Sequence, residues 1–179
     1  MDEMEKTQIG ELMSFLCKNK NDRGVMADLR RGFSRTTESR TWPHIAQFCD
    51  LRSNRNRRIA QLIAAGFATC GESSNCGNFG ETMRQIATGN GKKNDGLKTF
   101  ENRFRRLLSA SNTEEICDFL PGIIRTAKTK SIPVNFFRLF EDLQYWGENV
   151  KINWAASYWV ADKKKGGEVE DEISDQNNG

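Results

Sequence analysis

The stretch RNRRIAQLIAAGFAT, residues 55–69, constrains the fold more than any other part of the chain. Its head is basic, and its second half is apolar on most sides. A helix that is apolar all round has to be enclosed by other elements. The chain must therefore build a layer of segments around this one. Apolar residues recur at helical spacing nearly throughout, and no segment alternates with period two between turn pairs. The reading is an all-α fold of about eight or nine helices with no sheet. The 179 residues can bury a sizeable core without a disulfide or metal staple.

The enclosing helices follow in order. The first covers about residues 8–18, with Ile9, Leu12, Phe15 and Leu16 on one stripe. DRGVMADLRRGF gives a short second one, with Met26, Leu29 and Phe33 inward and Arg31 and Arg35 four apart on the outer face. TWPHIAQFCDL starts with Thr41 as cap and Pro43 in the first turn, where a missing N–H is harmless. Beyond a loop at Gly71–Gly77, NFGETMRQIAT ends at GNGKKNDG, the strongest break in the chain. That break divides an N-terminal helical lobe, residues 1–90, from a C-terminal one, residues 91–162, so two small bundles are expected. SNTEEICDFLPGIIRTAKTK carries Asn112 or Ser111 as cap with glutamates three residues on, and Pro121–Gly122 should break or kink it. VNFFRLFEDLQYWG is capped by Asn135 and closed by Gly147, and KINWAASYWVAD makes a last helix. Residues 163–179 hold almost no apolar side chain and are read as a disordered acidic tail.

Charge is unevenly placed. The net charge is +3, but the last nineteen residues hold three lysines and six acids, so residues 1–160 carry 24 basic against 18 acidic side chains, a net +6. A basic body suggests a polyanion partner. The cations gather in four places: Arg30, Arg31 and Arg35; Arg52, Arg55, Arg57 and Arg58; Arg103, Arg105 and Arg106; Arg125, Lys128 and Lys130. Arginine's planar fork suits phosphate oxygens and stacks on bases. In FENRFRRLLSA, residues 100–110, a 100° step per residue puts Phe100, Phe104, Leu107 and Leu108 with Leu97 on one stripe. Arg103 and Arg106 then share one flank, and Arg105 lies with Lys98 on the other. The aromatics from Phe136 to Trp159 sit at helical spacing and are read mostly as core, with Trp146 and Trp159 the ones to check for exposure.

Groups for catalysis are sparse. The single histidine, His44, has no local nucleophile signature beside it. The five cysteines form no C-x-x-C pair and are read as free thiols, Cys70 and Cys76 included. No zinc spacing, P-loop or dinucleotide glycine motif occurs, so no catalytic residue, metal or cofactor is expected. The charged start MDEMEKTQIG is no signal peptide, and the longest apolar stretch is far shorter than the roughly 20 residues a membrane span needs. A cytoplasmic protein without a membrane partner is expected.

MADLRRGF, TWPHIAQF, FGETMRQIAT, ENRFRRLLSASNTEEICDFLPGIIRTAK and IPVNFFRLFEDLQYWGENVKINWAASYW, taken in order over roughly residues 10–160, resemble the CasB family. That family is the small subunit of the type I-E CRISPR surveillance complex, Cascade. The resemblance implies an all-α, two-bundle fold without catalytic activity. It implies a second copy stacked head to tail, and contacts to the subunits that carry CRISPR RNA and to the large subunit. It implies a grip on CRISPR RNA and DNA, the target and above all the displaced single-stranded non-target strand, that stabilises the R-loop in antiviral defence. The family's basic surface maps best onto Arg30, Arg31, Arg103, Arg105 and Arg106. Arg35, Arg52, Arg55, Arg58, Arg125 and Lys128 complete the candidate nucleic-acid contacts by charge. The alternative is a helical scaffold whose arginines meet acidic protein surfaces. A thiol enzyme using His44 stands behind both.

Overall fold

Around residues 55–69 the chain does wrap helices, in a computed structural model that describes residues 3–89 and 95–160, with side chains from 8–89 and 100–160. Nine α-helices are found among these residues: α1 (Glu3–Lys18), α2 (Arg23–Arg30), α3 (Trp42–Ile45), α4 (Asn54–Cys70), α5 (Phe79–Thr88), α6 (Asp95–Leu108), α7 (Thr113–Thr129), α8 (Phe136–Gln144) and α9 (Glu148–Trp159). Two 3₁₀ turns, Arg31–Phe33 and Glu38–Thr41, join α2 to α3. No strand occurs among the described residues. The acidic tail, most of the GNGKKNDG break and the side chains of Leu97 and Lys98 lie outside what is described.

Helix α4 is the axis. Every residue from Arg58 to Ala68 is buried, enclosed by α2, α7 and α8 and touched by α1. Gly66 makes the α8 contact possible, because a Cβ there would collide with the Phe136 ring. The buried side chains form one cluster that draws on segments before and after residues 90–94. Helix α9 packs on α5, where Gly80 brings the backbones so close that a Cβ would strike the Trp154 carbonyl. Trp154 is fully buried, lies tilted against the Phe79 ring at 5.2 Å and donates from Nε1 to the Asp142 carboxylate at 2.6 Å.

Caps account for several helix starts. Asn112 Oδ1 accepts from the Glu115 N–H at 2.9 Å, and the Glu115 carboxylate reaches back to the Ser111 N–H at 2.7 Å, a reciprocal pair of the capping-box kind. Asn135 caps α8 on the Arg138 N–H. Three local readings differ. Thr41 caps nothing: it is fully buried and its hydroxyl donates to the Glu38 carbonyl at 2.6 Å. Gly147 precedes α9 rather than closing α8. Helix α7 runs through Pro121 and Gly122 without a break. An internal proline costs about 3 kcal/mol. Ile116, Leu120, Ile123 and Ile124 lie on its buried face, and each such side chain contributes about 1.5–3 kcal/mol when enclosed. The packed face outweighs the lost hydrogen bond.

Candidate nucleic-acid interface

The geometry of the basic side chains follows from how α4 and α7 lie together. Asn54 donates to the Glu114 carboxylate, Arg55 to the Thr113 hydroxyl, Arg58 to the Asp118 carboxylate and Lys128 to the Cys70 carbonyl. The partners are 60, 58, 60 and 58 positions apart in sequence. A near-constant offset means that two 17-residue helices run side by side in the same direction, each about 25 Å long. Their C-termini therefore end together, and so do their negative dipole ends.

Cations collect at that end. Arg30 Nε donates to the Ala68 carbonyl and Lys128 Nζ to the Cys70 carbonyl, both at 2.9 Å. These are carbonyls of the last turn of α4, which have no partner within the helix. Lys130 serves the Ile86 carbonyl of α5 in the same way at 2.8 Å.

Alongside, the exposed arginines lie on aromatic rings. Helices α6 and α7 form an antiparallel hairpin, with Arg106 over Phe119 at 4.9 Å near the turn and Lys130 over Phe100 at 5.3 Å at the far end. Arg103 covers the other approach to Phe100 at 5.2 Å. Across α7, Arg125 lies over Phe33 at 4.8 Å, the last residue of the 3₁₀ turn that Arg31 opens. Arg103 and Arg106 thus share the α7 flank, and Arg105 faces α9 over Trp159, tied also to Glu101 at 2.6 Å. Exposed cation–π contacts contribute only about 0.5–1 kcal/mol, enough to orient a guanidinium without consuming its N–H edge. Among the described residues no acid pairs with Arg31, Arg103, Arg106 or Arg125. The rings beneath them are a feature that sequence reasoning missed. Phe100 stands three residues before Arg103 and is legible, whereas Phe119 and Phe33 reach their arginines only through the fold.

The remaining candidates are placed differently. Arg58 is buried, and its guanidinium pairs with Asp118 and with Glu38 at 3.9 Å. Arg55 is held by Thr113 and by the Gln144 carbonyl that ends α8. Arg52 is exposed at the N-terminal end of α4. Arg35 is exposed and bonds Asp118 at 2.9 Å, which raises it further above its ordinary value. Partial burial pushes the Asp118 carboxyl up, but the hydrogen bonds and charges of Arg35 and Arg58 together outweigh it and hold it below its usual 3.8.

Among the aromatics, Phe136, Phe140, Trp154 and Tyr158 are core. Trp146 is half-buried and donates to the Ala110 carbonyl. Phe137, Tyr145 and Trp159 are exposed, Phe137 because it stands one step off the Phe136–Phe140 stripe. His44 lies against Asp28 at 3.5 Å rather than a cysteine, and burial pushes the Cys49 thiol up to about 11 and Cys117 up to about 12. No group of three potential metal-ligating side chains occurs among the described residues, and none of their helices is long and apolar enough to cross a membrane.

The family model described as CRISPR-associated protein Cse2 matches residues 25–159. Among solved structures, a chain of a CRISPR RNA-guided surveillance complex superposes with a TM-score of 0.66 at 18% identity, covering 86% of this chain and 92% of that one. CasB from Thermus thermophilus superposes with a TM-score of 0.66 at 21% identity, covering 90% of this chain and 100% of that one. At these identities the likeness is one of fold. No curated protein sequence matches.

Proposed function

This chain belongs to the CRISPR-associated protein Cse2 family, and from that premise we propose that it is the non-catalytic small subunit of a type I-E CRISPR Cascade complex. Its role is to hold nucleic-acid backbone, the displaced non-target strand above all, and so to stabilise the R-loop. The observation that carries this reading is the α6–α7 face. It presents Arg103, Arg106 and Arg125 on aromatic supports and, among the described residues, unpaired with acid, with Lys128 on the same helix as Arg125 and Arg30 and Lys128 both on last-turn carbonyls of α4.

R-loop formation exchanges one duplex for another of similar stability, so contacts to strand backbones tip the balance. Exposed guanidinium forks supply such contacts without reading sequence. The proposed partners are CRISPR RNA, target and non-target DNA, the RNA-bearing and large subunits, and a second copy of this chain, in the cytoplasm. Exposed Phe137, Tyr145 and Ile152 favour protein contacts on other faces, which a purely scaffolding subunit would also need.

Single-stranded DNA titrated at several salt concentrations separates the two roles. Binding that falls steeply with salt, and is abolished by Arg103→Glu, Arg106→Glu and Arg125→Glu together, is the expected result. Unchanged binding in that triple variant would remove the face from the reading, and no DNA affinity at low salt would leave the scaffold.

A further inference from the structure

We infer that a buried water molecule bridges Arg58 and Gln61 in a small pocket between α4, α7 and the first 3₁₀ turn, and that this water sets the Arg58 guanidinium on its two acids.

The pocket has a volume of about 40 Å³, and Phe33, Arg58, Gln61, Cys117 and Asp118 are among the residues that line it. A water needs roughly 10–15 Å³ of such space and two to four polar partners. The volume therefore admits a water and excludes a nucleotide or a hydrated metal ion.

The polar partners come from α4. Gln61 stands three residues after Arg58, so the two share a face of the helix. Both are buried, Gln61 to 2% exposure. Gln61 Nε2 is turned to the second 3₁₀ turn, where it donates to the Thr41 hydroxyl at 3.4 Å and to the Glu38 carbonyl at 3.5 Å. Reversing the amide would set its oxygen against that carbonyl and against a hydroxyl whose proton the carbonyl already takes. Oε1 is thus a buried acceptor with no partner among the described residues. The two Nη atoms of Arg58 go to Glu38 and Asp118, which leaves Nε as a buried donor, also without a partner.

One orphaned donor and one orphaned acceptor select the ligand. An anion would suit Arg58 and be opposed by Gln61 Oε1 and the Asp118 carboxylate. A cation would suit those two and be opposed by Arg58. Water serves both: it accepts from Arg58 Nε and donates to Gln61 Oε1, with a second proton for the Asp118 carboxylate on the same lining. It returns to both atoms the hydration that burial removes. With Nε held as well as both Nη atoms, the guanidinium plane is fixed between Glu38 and Asp118. Asp118 in turn holds Arg35.

A crystal structure of the full chain, at a resolution that shows ordered water, should carry one density peak about 2.7–3.2 Å from both Arg58 Nε and Gln61 Oε1. Crystals soaked in bromide or in rubidium should give no anomalous signal at that point. A pocket without density, a Gln61 oxygen turned directly onto Arg58 Nε, or an anomalous peak from either ion would overturn the inference. The parent structure decides the site even if no variant folds. The second measurement concerns the setting of Arg58. Gln61→Met keeps the length of the side chain and removes the acceptor. Followed by carbon NMR of its carboxyl, Asp118 should titrate closer to its ordinary 3.8 in Gln61→Met than in the parent, where Arg35 and Arg58 hold it lower. An Asp118 titration that Gln61→Met left unmoved would refute the water's part in setting Arg58.

Discussion

RSNRNRR, residues 52–58, and NRFRR, residues 102–106, are nearly the same text, and the fold uses them in opposite ways. The first opens α4, whose N-terminal end meets the N-terminus of α7 and the C-terminus of α8. Three of its four arginines are engaged by neighbouring groups, Arg55 by the Gln144 carbonyl, Arg57 by the Leu51 carbonyl and Arg58 by Asp118 and Glu38, and of the three only Arg58 is buried. The second lies on α6 with only rings beneath it and water above, apart from Arg105, which Glu101 ties down. Arginine density in a sequence therefore measures neither binding nor stability. What separates the two uses is whether an acid or an open carbonyl lies within reach, and that is a property of how helices dock.

The most damaging way to test this contrast is at Arg58. Removing Arg58 deprives Glu38 of its cation and leaves Asp118 with Arg35 alone. Because Asp118 is half exposed and keeps that partner, the cost stays below that of breaking a fully buried pair, and Arg58→Ala should lower unfolding free energy by about 2–3 kcal/mol. A urea melt reads the loss, while the folded protein should keep its DNA affinity and salt slope. An Arg58→Ala protein that melted normally but bound DNA poorly would move Arg58 to the other side of the comparison.

Arg103→Ala with Arg106→Ala should show the mirror image. Stability should change by no more than the two exposed ring contacts contribute, about 0.5–1 kcal/mol each. Affinity for single-stranded DNA should fall on the order of tenfold near 0.1 M salt, and the slope of log K against log salt should become shallower by about 1.4, roughly 0.7 for each lost phosphate contact. A melt that shifted more than the binding isotherm would mean that these arginines serve the fold.

Between the extremes stand Arg30 and Lys128, which neutralise the last-turn carbonyls of α4 yet remain exposed. Each alanine substitution should cost about 0.3–1 kcal/mol of stability and make the salt slope shallower by about 0.7. Loss of only one of the two properties would assign the residue to one class.

How far these roles could be read beforehand depends on the distance to the partner. The central place of α4 was legible because Ile59, Leu62, Ile63 and Phe67 leave no polar face wide enough for solvent. The caps at Asn112 and Asn135 were legible because their partners lie three residues away. The two flanks of α6 were legible from the helical step. The parallel direction of α4 and α7 was not, since a periodic stripe says which side is buried and nothing about which way its neighbour runs. Nor was the engagement of Arg55 and Arg58, whose partners stand 89 and 60 positions away. Helix α7 shows the same limit from the other side: Pro121 carries a strong local signal for a break, and the buried Ile116–Ile124 stripe overrides it.

The finest test lies at Arg35, which belongs to both classes, being exposed like Arg103 and acid-paired like Arg58. Its contact with Asp118 is largely in solvent, so Arg35→Ala should cost no more than about 1 kcal/mol at neutral pH and less at high salt. The pH dependence identifies the source. Asp118 has its folded value held below 3.8, so its pairing stabilises the protein above that pH and is lost as pH falls through the lower folded value. The stability gap between the parent and Arg35→Ala should therefore be flat from pH 7 to about 5 and close below 3.8. Because Asp118 keeps Arg58 in either protein, the gap should close without the parent unfolding first. In DNA binding, Arg35→Ala should lose less affinity than Arg106→Ala, since a phosphate gains Arg35 only by separating it from a carboxylate. A larger loss at Arg35 would mean that Asp118 presents this arginine to the strand rather than withholding it.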